Sequence, residues 1–173
     1  MNKNFEWKYV WQFFLLLLVQ VLLLDKISLW GMLTPMLYLL YIMSLPFQTP
    51  RWLVVLLGFL MGLGVDCFSG IMGVHAAATT FVAFLRPLII NLIPAKATLE
   101  EHLRPILWDM HFGWFALYSL SMAFVHQFLL CFFDAFSLSG FFHLLWVSLL
   151  NALFTTVVIF IAQCLFYSAS KRY

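Results

Sequence analysis

The sequence predicts an all-α integral membrane protein with six transmembrane helices and both termini in the cytoplasm. Of its 173 residues, 65% are hydrophobic, whereas about half are in an ordinary soluble domain. Only 9% are charged, so a soluble fold of this size would lack the charge to cover its surface. Long apolar runs and an uneven distribution of basic residues then give the number of spans and their orientation.

Six apolar segments can each cross a bilayer, which takes about 20 helical residues, or somewhat fewer when flanking side chains reach the interface. We assign them to residues 9–24, 29–45, 52–67, 71–93, 112–133 and 141–167. Charged residues, prolines and glycines separate them, namely Asp25, Pro46, Pro50, Gly70 and Asp134. Pro35 lies inside the second segment, although proline fits the first turn of a helix better than its interior. The segments take up most of residues 1–173, so we expect a single polytopic membrane domain.

Basic residues indicate how the segments are oriented. If the N-terminus lies in the cytoplasm, eight of the nine Lys and Arg residues fall on the inner side, namely Lys3, Lys8, Arg51, Arg86, Lys96, Arg104, Lys171 and Arg172. Only Lys26 then falls on the outer side. This is the positive-inside pattern, and it predicts six spans with both termini in the cytoplasm. We expect Arg86, near the inner end of the fourth segment, to extend its side chain to the membrane surface.

Asp66 stands out among the acidic residues because it lies at the end of the third segment. On a helix, Gly58, Gly62, Asp66 and Ser69 share one face. Two glycines four residues apart allow another helix to approach closely. An ionisable residue at membrane depth indicates a functional site, whereas the structural alternative is that Asp66 caps the next helix or pairs with His75. A cap would tolerate Asn, which caps helices about as well as Asp.

The turn before the fourth segment contains two further candidate positions. We expect Gly70 and Gly73 to adopt backbone conformations, or to permit close approaches, that a side chain would prevent. We also expect the third segment to pack against the face of the fourth that carries Gly73, Ala77 and Thr80.

The sixth segment carries a polar stripe, formed by Ser148, Asn151 and Thr155. Polar residues at this spacing usually face the other helices of a membrane bundle and hold them by hydrogen bonds. A solute pathway along the stripe is the alternative interpretation.

Few residues suggest chemistry. Five ionisable residues on the predicted outer side could together hold a cation or a proton, namely Asp66, His75, His126, Asp134 and His143. However, no two histidines have the i, i+4 spacing of a helical metal site, and the common hydrolase, metalloprotease and phosphate-loop motifs are missing. We therefore expect no catalytic residue, no metal and no cofactor. A net charge of +2 provides no basic patch for nucleic acid.

Residues 56–76, LLGFLMGLGVDCFSGIMGVHA, combine an apolar helix ending in Gly-Leu-x-x-Asp, a short Ser/Gly turn, and Gly-x-His-Ala at the start of the next helix. This pattern resembles the signature region of MreD, a family of rod shape-determining membrane proteins. Residues 45–52, LPFQTPRW, and 83–87, AFLRP, are also similar to parts of the family. The resemblance covers essentially the whole chain.

The resemblance implies a six-helix fold similar to the substrate-binding subunits of energy-coupling-factor vitamin transporters. It implies a location in the bacterial cytoplasmic (inner) membrane and binding to a bitopic MreC-like protein. Through that partner the family associates with MreB, the RodA glycosyltransferase and a penicillin-binding transpeptidase. Whether the chain also forms a homodimer is left open. No catalytic residues can be carried over. The candidate positions for partner binding or for a structural turn are Gly58, Gly62, Asp66, Ser69, Gly70, Gly73 and His75.

Two hypotheses for function follow. The main one is a non-catalytic membrane scaffold that helps to organise peripheral peptidoglycan synthesis and rod cell shape. The alternative is a small-molecule-binding membrane subunit of a transporter, which would need an outward cavity lined by specific polar groups.

Overall fold

The computed structural model describes residues 3–26, 34–70, 73–94, 104–135 and 140–170, with side chains except at 3–6, 134–135 and 166–170. These ranges contain six α-helices and no β-strand, so the all-α class is confirmed. The helices are α1 Lys3–Leu22, α2 Leu39–Ser44, α3 Arg51–Ser69, α4 Val74–Leu92, α5 Phe112–Ala135 and α6 Phe141–Ser170. A short 3₁₀ turn at Leu24–Lys26 follows α1.

Within the described residues, five stretches of helix are long and apolar enough to cross a membrane, namely Trp7–Lys26, Arg51–Ser69, Val74–Leu92, Phe112–Phe133 and Phe141–Leu165. They correspond to the first, third, fourth, fifth and sixth predicted segments. Large apolar side chains such as Trp11, Phe84 and Phe142 lie exposed along them. In water such a surface would favour aggregation, whereas lipid solvates it. The described part of the chain is therefore that of a multi-pass membrane protein.

The second predicted segment differs from a continuous span. Its described part begins at Thr34, residues 34–36 are not helical, and α2 starts only at Leu39. The helix therefore begins after Pro35, as the preference of proline for helix starts suggests. Six residues of helix cover about 9 Å, too little to cross a bilayer. Residues 29–33 lie outside the described residues, so the sixth span stays a prediction.

The short helix α2 lies in the middle of the bundle. Every residue from Met36 to Leu45 is buried, and α2 contacts α1, α3, α4 and α5. Around it, α3 and α4 form the most extensive helix pair, followed by α5 and α6. The bundle thus encloses a segment whose main-chain polar groups cannot reach water.

Candidate functional site

The turn between α3 and α4 is built on two glycines with positive φ. Gly70 follows α3 with φ of 77°, and Gly73 precedes α4 with φ of 93°. A Cβ added at either position would meet no other atom within 4 Å. The prediction of special backbone conformations is therefore confirmed, and the left-handed region itself, rather than lack of space, favours glycine here.

The carboxylate of Asp66, on the last full turn of α3, binds the start of α4. Its Oδ2 accepts hydrogen bonds from the main-chain N–H groups of Gly73 (3.0 Å) and Ala76 (2.9 Å). Its Oδ1 accepts one from the main chain of His75 (3.0 Å), and the His75 Nδ1 lies 2.8 Å from the same oxygen. An ionised carboxylate can only accept, so in this bond it pairs with the tautomer of His75 that carries a proton on Nδ1. We call Asp66 with its three partners the carboxylate cap.

The carboxylate cap accepts hydrogen bonds from N–H groups at the start of α4 that have no partner within the helix. The helix dipole also favours a negative charge at this position. Asp66 is 1% exposed, so these hydrogen bonds form in a nearly water-free setting. Ser69, on the same face of α3, contributes only a long 3.5 Å bond to the main-chain oxygen of Asp66. Both structural alternatives for Asp66, capping and pairing with His75, are thus present together.

Close packing of α3 on α4 occurs at Gly58 and Gly62 of α3. A Cβ on Gly62 would lie 2.5 Å from Ala76 Cα, and one on Gly58 would lie 2.9 Å from Ala83 Cβ. The close approach expected of this glycine pair is therefore present. However, the face of α4 predicted for this contact is wrong, because Ala77 is exposed and Ala76 and Ala83 make the contact instead.

A line of polar contacts continues from the carboxylate cap into the bundle. Thr79 donates from its hydroxyl to the main-chain oxygen of His75 (2.6 Å). The same hydroxyl lies 3.4 Å from Nε2 of His126, which in turn lies 2.8 Å from the hydroxyl of Tyr38. These residues and Asp66 come from α2 or the turn before it, α3, α4 and α5. The line therefore connects four elements of the bundle, and His75 is its partly exposed member.

The five ionisable residues predicted on one side do not all come together. Asp66, His75 and His126 belong to the connected line, whereas His143 is exposed on α6. The side chain of Asp134 lies outside the described residues. Within the described residues, no group of three His, Cys, Asp or Glu side chains is arranged to hold a metal ion.

The polar stripe of α6 faces the non-helical chain before α2. Asn151 accepts from the main-chain N–H of Thr34 (3.0 Å), and Thr155 accepts from that of Met36 (3.3 Å). From α5, Gln127 donates to the Thr34 main-chain oxygen (3.3 Å) and to the Thr155 hydroxyl (3.2 Å). Ser148 is buried, and its hydroxyl has no hydrogen-bond partner among the described residues. The stripe thus satisfies irregular backbone inside the bundle.

Gln20 of α1 completes this arrangement. Its side-chain oxygen accepts from the main-chain N–H of Leu37 (2.8 Å), and its amide donates to the main-chain oxygen of Pro35 (3.1 Å) and to Asp25 (2.7 Å). Non-helical backbone at membrane depth is stable only when protein groups satisfy it. Side chains of α1, α5 and α6 supply those groups here.

The other end of α2 is held by Arg86 and Tyr118. The Arg86 guanidinium donates to the main-chain oxygen of Leu45 and, from Nε, to the Tyr118 hydroxyl (3.1 Å). The Tyr118 hydroxyl donates to the Met43 main-chain oxygen (3.4 Å). Arg86 is only 4% exposed. The expectation that it extends to the membrane surface is therefore wrong, because its partners lie at the end of α2 inside the bundle.

Sequence reasoning missed four residues that hold α2, namely Gln20, Arg86, Tyr118 and Gln127. A signal for three of them was present, because Gln and Arg are costly in an apolar segment unless they face partners. Tyr118 carried no such signal, since aromatic residues are common in membrane helices.

Compared with family models, curated proteins and solved structures, the chain matches none. The assignment of a function therefore depends on the residues themselves. Both oxygens of Asp66 are engaged by donors at a helix start, which is an architectural arrangement rather than one with a free base or nucleophile.

Proposed function

We propose that this chain is a non-catalytic scaffold of the bacterial cytoplasmic membrane, similar to MreD, which helps to organise peripheral peptidoglycan synthesis and rod cell shape. On this proposal it binds an MreC-like bitopic partner, and through it the MreB, RodA and penicillin-binding components. The proposal includes six spans, cytoplasmic termini and a fold like the energy-coupling-factor substrate-binding subunits.

The observation that carries the proposal is the carboxylate cap. The residues by which the chain resembles MreD build a single hairpin: Gly62 lets α4 approach, Asp66 binds the start of α4, and Gly70 and Gly73 turn the chain. His75 adds a side-chain bond to the same carboxylate. A pattern in which each residue has a structural role supports a motif for architecture, as a scaffold requires.

Recovery of partners from native membranes tests this function. Tagged full-length chain should recover an MreC-like protein and a penicillin-binding protein after mild solubilisation. A tagged, unrelated multi-pass protein at matched expression is the control for non-specific recovery. Recovery of a transporter ATPase pair instead would overturn the scaffold proposal.

A reporter fusion tests the orientation separately. A reporter active only in the cytoplasm, fused after Tyr173, should give signal, because eight of the nine basic residues then lie inside. Activity of a periplasmic reporter at the same position, with a silent cytoplasmic one, would exclude six spans with both termini inside.

The transporter-subunit alternative has less support. Cavities of about 270, 360 and 820 Å³ are lined by other residues than Asp66, His75 and His126. Three of the five polar groups expected to bind a solute, Asp66, His75 and His126, are instead engaged with one another, with hydroxyl groups or with main-chain groups. Mass spectrometry of the purified protein would show a stoichiometric small molecule if the alternative were correct.

A further inference from the structure

The cavity beside Arg86 differs from the rest of the bundle in its charge. It has a volume of about 270 Å³ and lies between the start of α3 and the last turns of α4. Its polar lining comes from Thr49, Arg51, Arg86 and Asn91, and its apolar lining includes Phe47 and Val54. None of the described residues that line it is acidic. A cavity with two guanidinium groups and no carboxylate among its described lining residues is suited to an anion.

Arg86 provides the stronger argument. Arg86 is only 4% exposed. Among the described residues, no carboxylate lies within ion-pair distance of it. Its hydrogen bonds to Leu45 and Tyr118 use two of five N–H groups. A buried positive charge is costly when only neutral oxygens face it. Because no acidic side chain among the described residues balances its charge, Arg86 favours a negatively charged ligand in this cavity.

The start of α3 adds to the positive potential. Pro50 precedes the helix and supplies no side-chain cap, and the helix dipole places a partial positive charge at the first N–H groups of α3. The end of α4 opposes this with a partial negative charge of similar size, about half an elementary charge. Because these two contributions nearly cancel, the two full charges of Arg51 and Arg86 determine the sign of the cavity.

We propose that this cavity binds a phosphate group, and that its source is the headgroup of an anionic lipid. Guanidinium groups bind phosphate with paired hydrogen bonds, and basic pockets between membrane helices bind anionic headgroups. The volume suits a headgroup, since it lies just below the usual range for pockets that enclose a drug-sized ligand. Arg86 lies six residues before the end of α4 at Leu92, or about 9 Å along the helix, which is within reach of a lipid phosphate.

Lipid binding to the purified full-length chain tests the proposal. Native mass spectrometry should show tighter binding of phosphatidylglycerol than of zwitterionic phosphatidylcholine. Arg51→Gln should weaken phosphatidylglycerol binding by about fivefold, the effect of one basic residue near a membrane surface. Lys8→Gln removes an exposed charge from α1 outside this cavity and should leave the affinity unchanged.

Arg86→Gln should weaken binding by more than Arg51→Gln does, but it also removes the contact with Leu45. Tyr118→Phe is therefore its matched control, because it loosens the same end of α2 and leaves both charges in place. Equal loss with Arg86→Gln and Tyr118→Phe, together with unchanged binding by Arg51→Gln, would overturn the proposal. Equal affinity of the wild type for the two lipids would overturn it as well.

Inorganic phosphate is the third ligand in the test, and it distinguishes the two sources of the phosphate group. If millimolar phosphate displaces phosphatidylglycerol and Arg51→Gln weakens both, the cavity is a phosphate site and the lipid source is overturned. If phosphate does not compete and phosphatidylglycerol binding depends on both arginines, the lipid source is supported.

Discussion

The α3–α4 hairpin and the central helix α2 satisfy helix ends inside an apolar bundle in different ways. In the hairpin, one carboxylate accepts from three main-chain N–H groups that lie 7, 9 and 10 residues further along the chain. Around α2, neutral amides, hydroxyls and a guanidinium from four other helices each form hydrogen bonds with some of the main-chain groups. Their partners lie between 15 and 119 residues away in sequence.

This difference has a consequence for assembly. The hairpin contains its own cap, its own turn and its own close-packing glycines, so it can form as a local unit. The ends of α2 are satisfied only when α1, α4, α5 and α6 are in place. We therefore expect hairpin mutations to remove one strong, charged interaction, and α2 mutations to remove one of several weaker ones.

The largest expected effect is that of Asp66→Asn. Asparagine has one acceptor oxygen, whereas four donors converge on the two oxygens of Asp66. The amide N–H₂ group would then face buried N–H donors, so we expect a loss of about 3–5 kcal/mol in stability. Thermal unfolding of purified protein in detergent measures this loss.

Ser69→Ala is the matched control on the same face of α3. Its hydroxyl makes only a 3.5 Å bond, and we expect a change within about 0.5 kcal/mol. Wild-type stability of Asp66→Asn would show that the carboxylate cap is an ordinary helix cap, which is one of the alternatives that the sequence left open. The sequence could not show that both oxygens of Asp66 accept hydrogen bonds.

Much of the hairpin could be predicted because its determinants are local. The glycine spacing in α3, the positive φ at Gly70 and Gly73, and the proximity of Asp66 to His75 all follow from short stretches of sequence. The face of α4 in the contact was not predictable in the same way. A rotation of about one residue separates Ala76 from Ala77, and tertiary packing determines it.

Gly62→Ala should have the next largest effect. Its Cβ would lie 2.5 Å from Ala76 Cα and 2.6 Å from the His75 main-chain oxygen, and backbone atoms cannot rotate away. We expect a loss of about 3 kcal/mol, at the upper end for overpacking. If α3 and α4 moved apart to make room for the added methyl group, the hydrogen bonds of the carboxylate cap would also lengthen.

Gly113→Ala, in α5, is the control for this substitution. No atom lies within 4 Å of its added Cβ, so the change should raise stability slightly, by about 0.5–1 kcal/mol, because alanine favours helix. Equal tolerance of both alanines in thermal unfolding would show that α3 and α4 are not held at contact distance.

Gln20→Met tests the α2 side of the comparison. Methionine keeps the length of the side chain but leaves the Leu37 N–H and the Pro35 oxygen without partners. We expect a loss of about 2 kcal/mol, smaller than that of Asp66→Asn because the bonds lost to Leu37 and Pro35 are neutral and Asp25 is exposed, so that water can replace its bond. The same unfolding measurement checks it, and a loss as large as that of Asp66→Asn would remove the distinction between the two regions.

Gln12→Met is the control for this substitution. Its amide donates to the Ser44 hydroxyl (2.7 Å), so no main-chain group loses that partner. We expect a loss of at most about 1 kcal/mol. A larger loss than with Gln20→Met would show that the end of α2 at Ser44, and not its start, is the more sensitive one.

The surroundings of α2 were less predictable because its partners are remote. Pro35 indicated where a helix could begin, but nothing local links Gln20, Gln127, Asn151 and Thr155 to one stretch of chain. Arg86 shows the same limit: a basic residue near a predicted helix end is expected to reach the surface. The Arg86 side chain instead lies inside the bundle, where it donates a hydrogen bond to the main-chain oxygen of Leu45, 41 residues earlier.

Apart from the control substitutions, the smallest expected effect is at Gly73, and it distinguishes backbone strain from packing within the hairpin. With φ of 93° and open space around an added Cβ, Gly73→Ala and Gly73→Leu should cost about the same, roughly 1–2 kcal/mol. The main-chain N–H that binds Asp66 remains in both variants. Gly73→Asn should cost less than either, because asparagine tolerates left-handed φ.

If leucine instead destabilises the protein far more than alanine, packing around the turn rather than its φ sets the preference for glycine, as the sequence alone allowed. If alanine unfolds at the wild-type temperature, the turn can move to negative φ while the carboxylate cap holds.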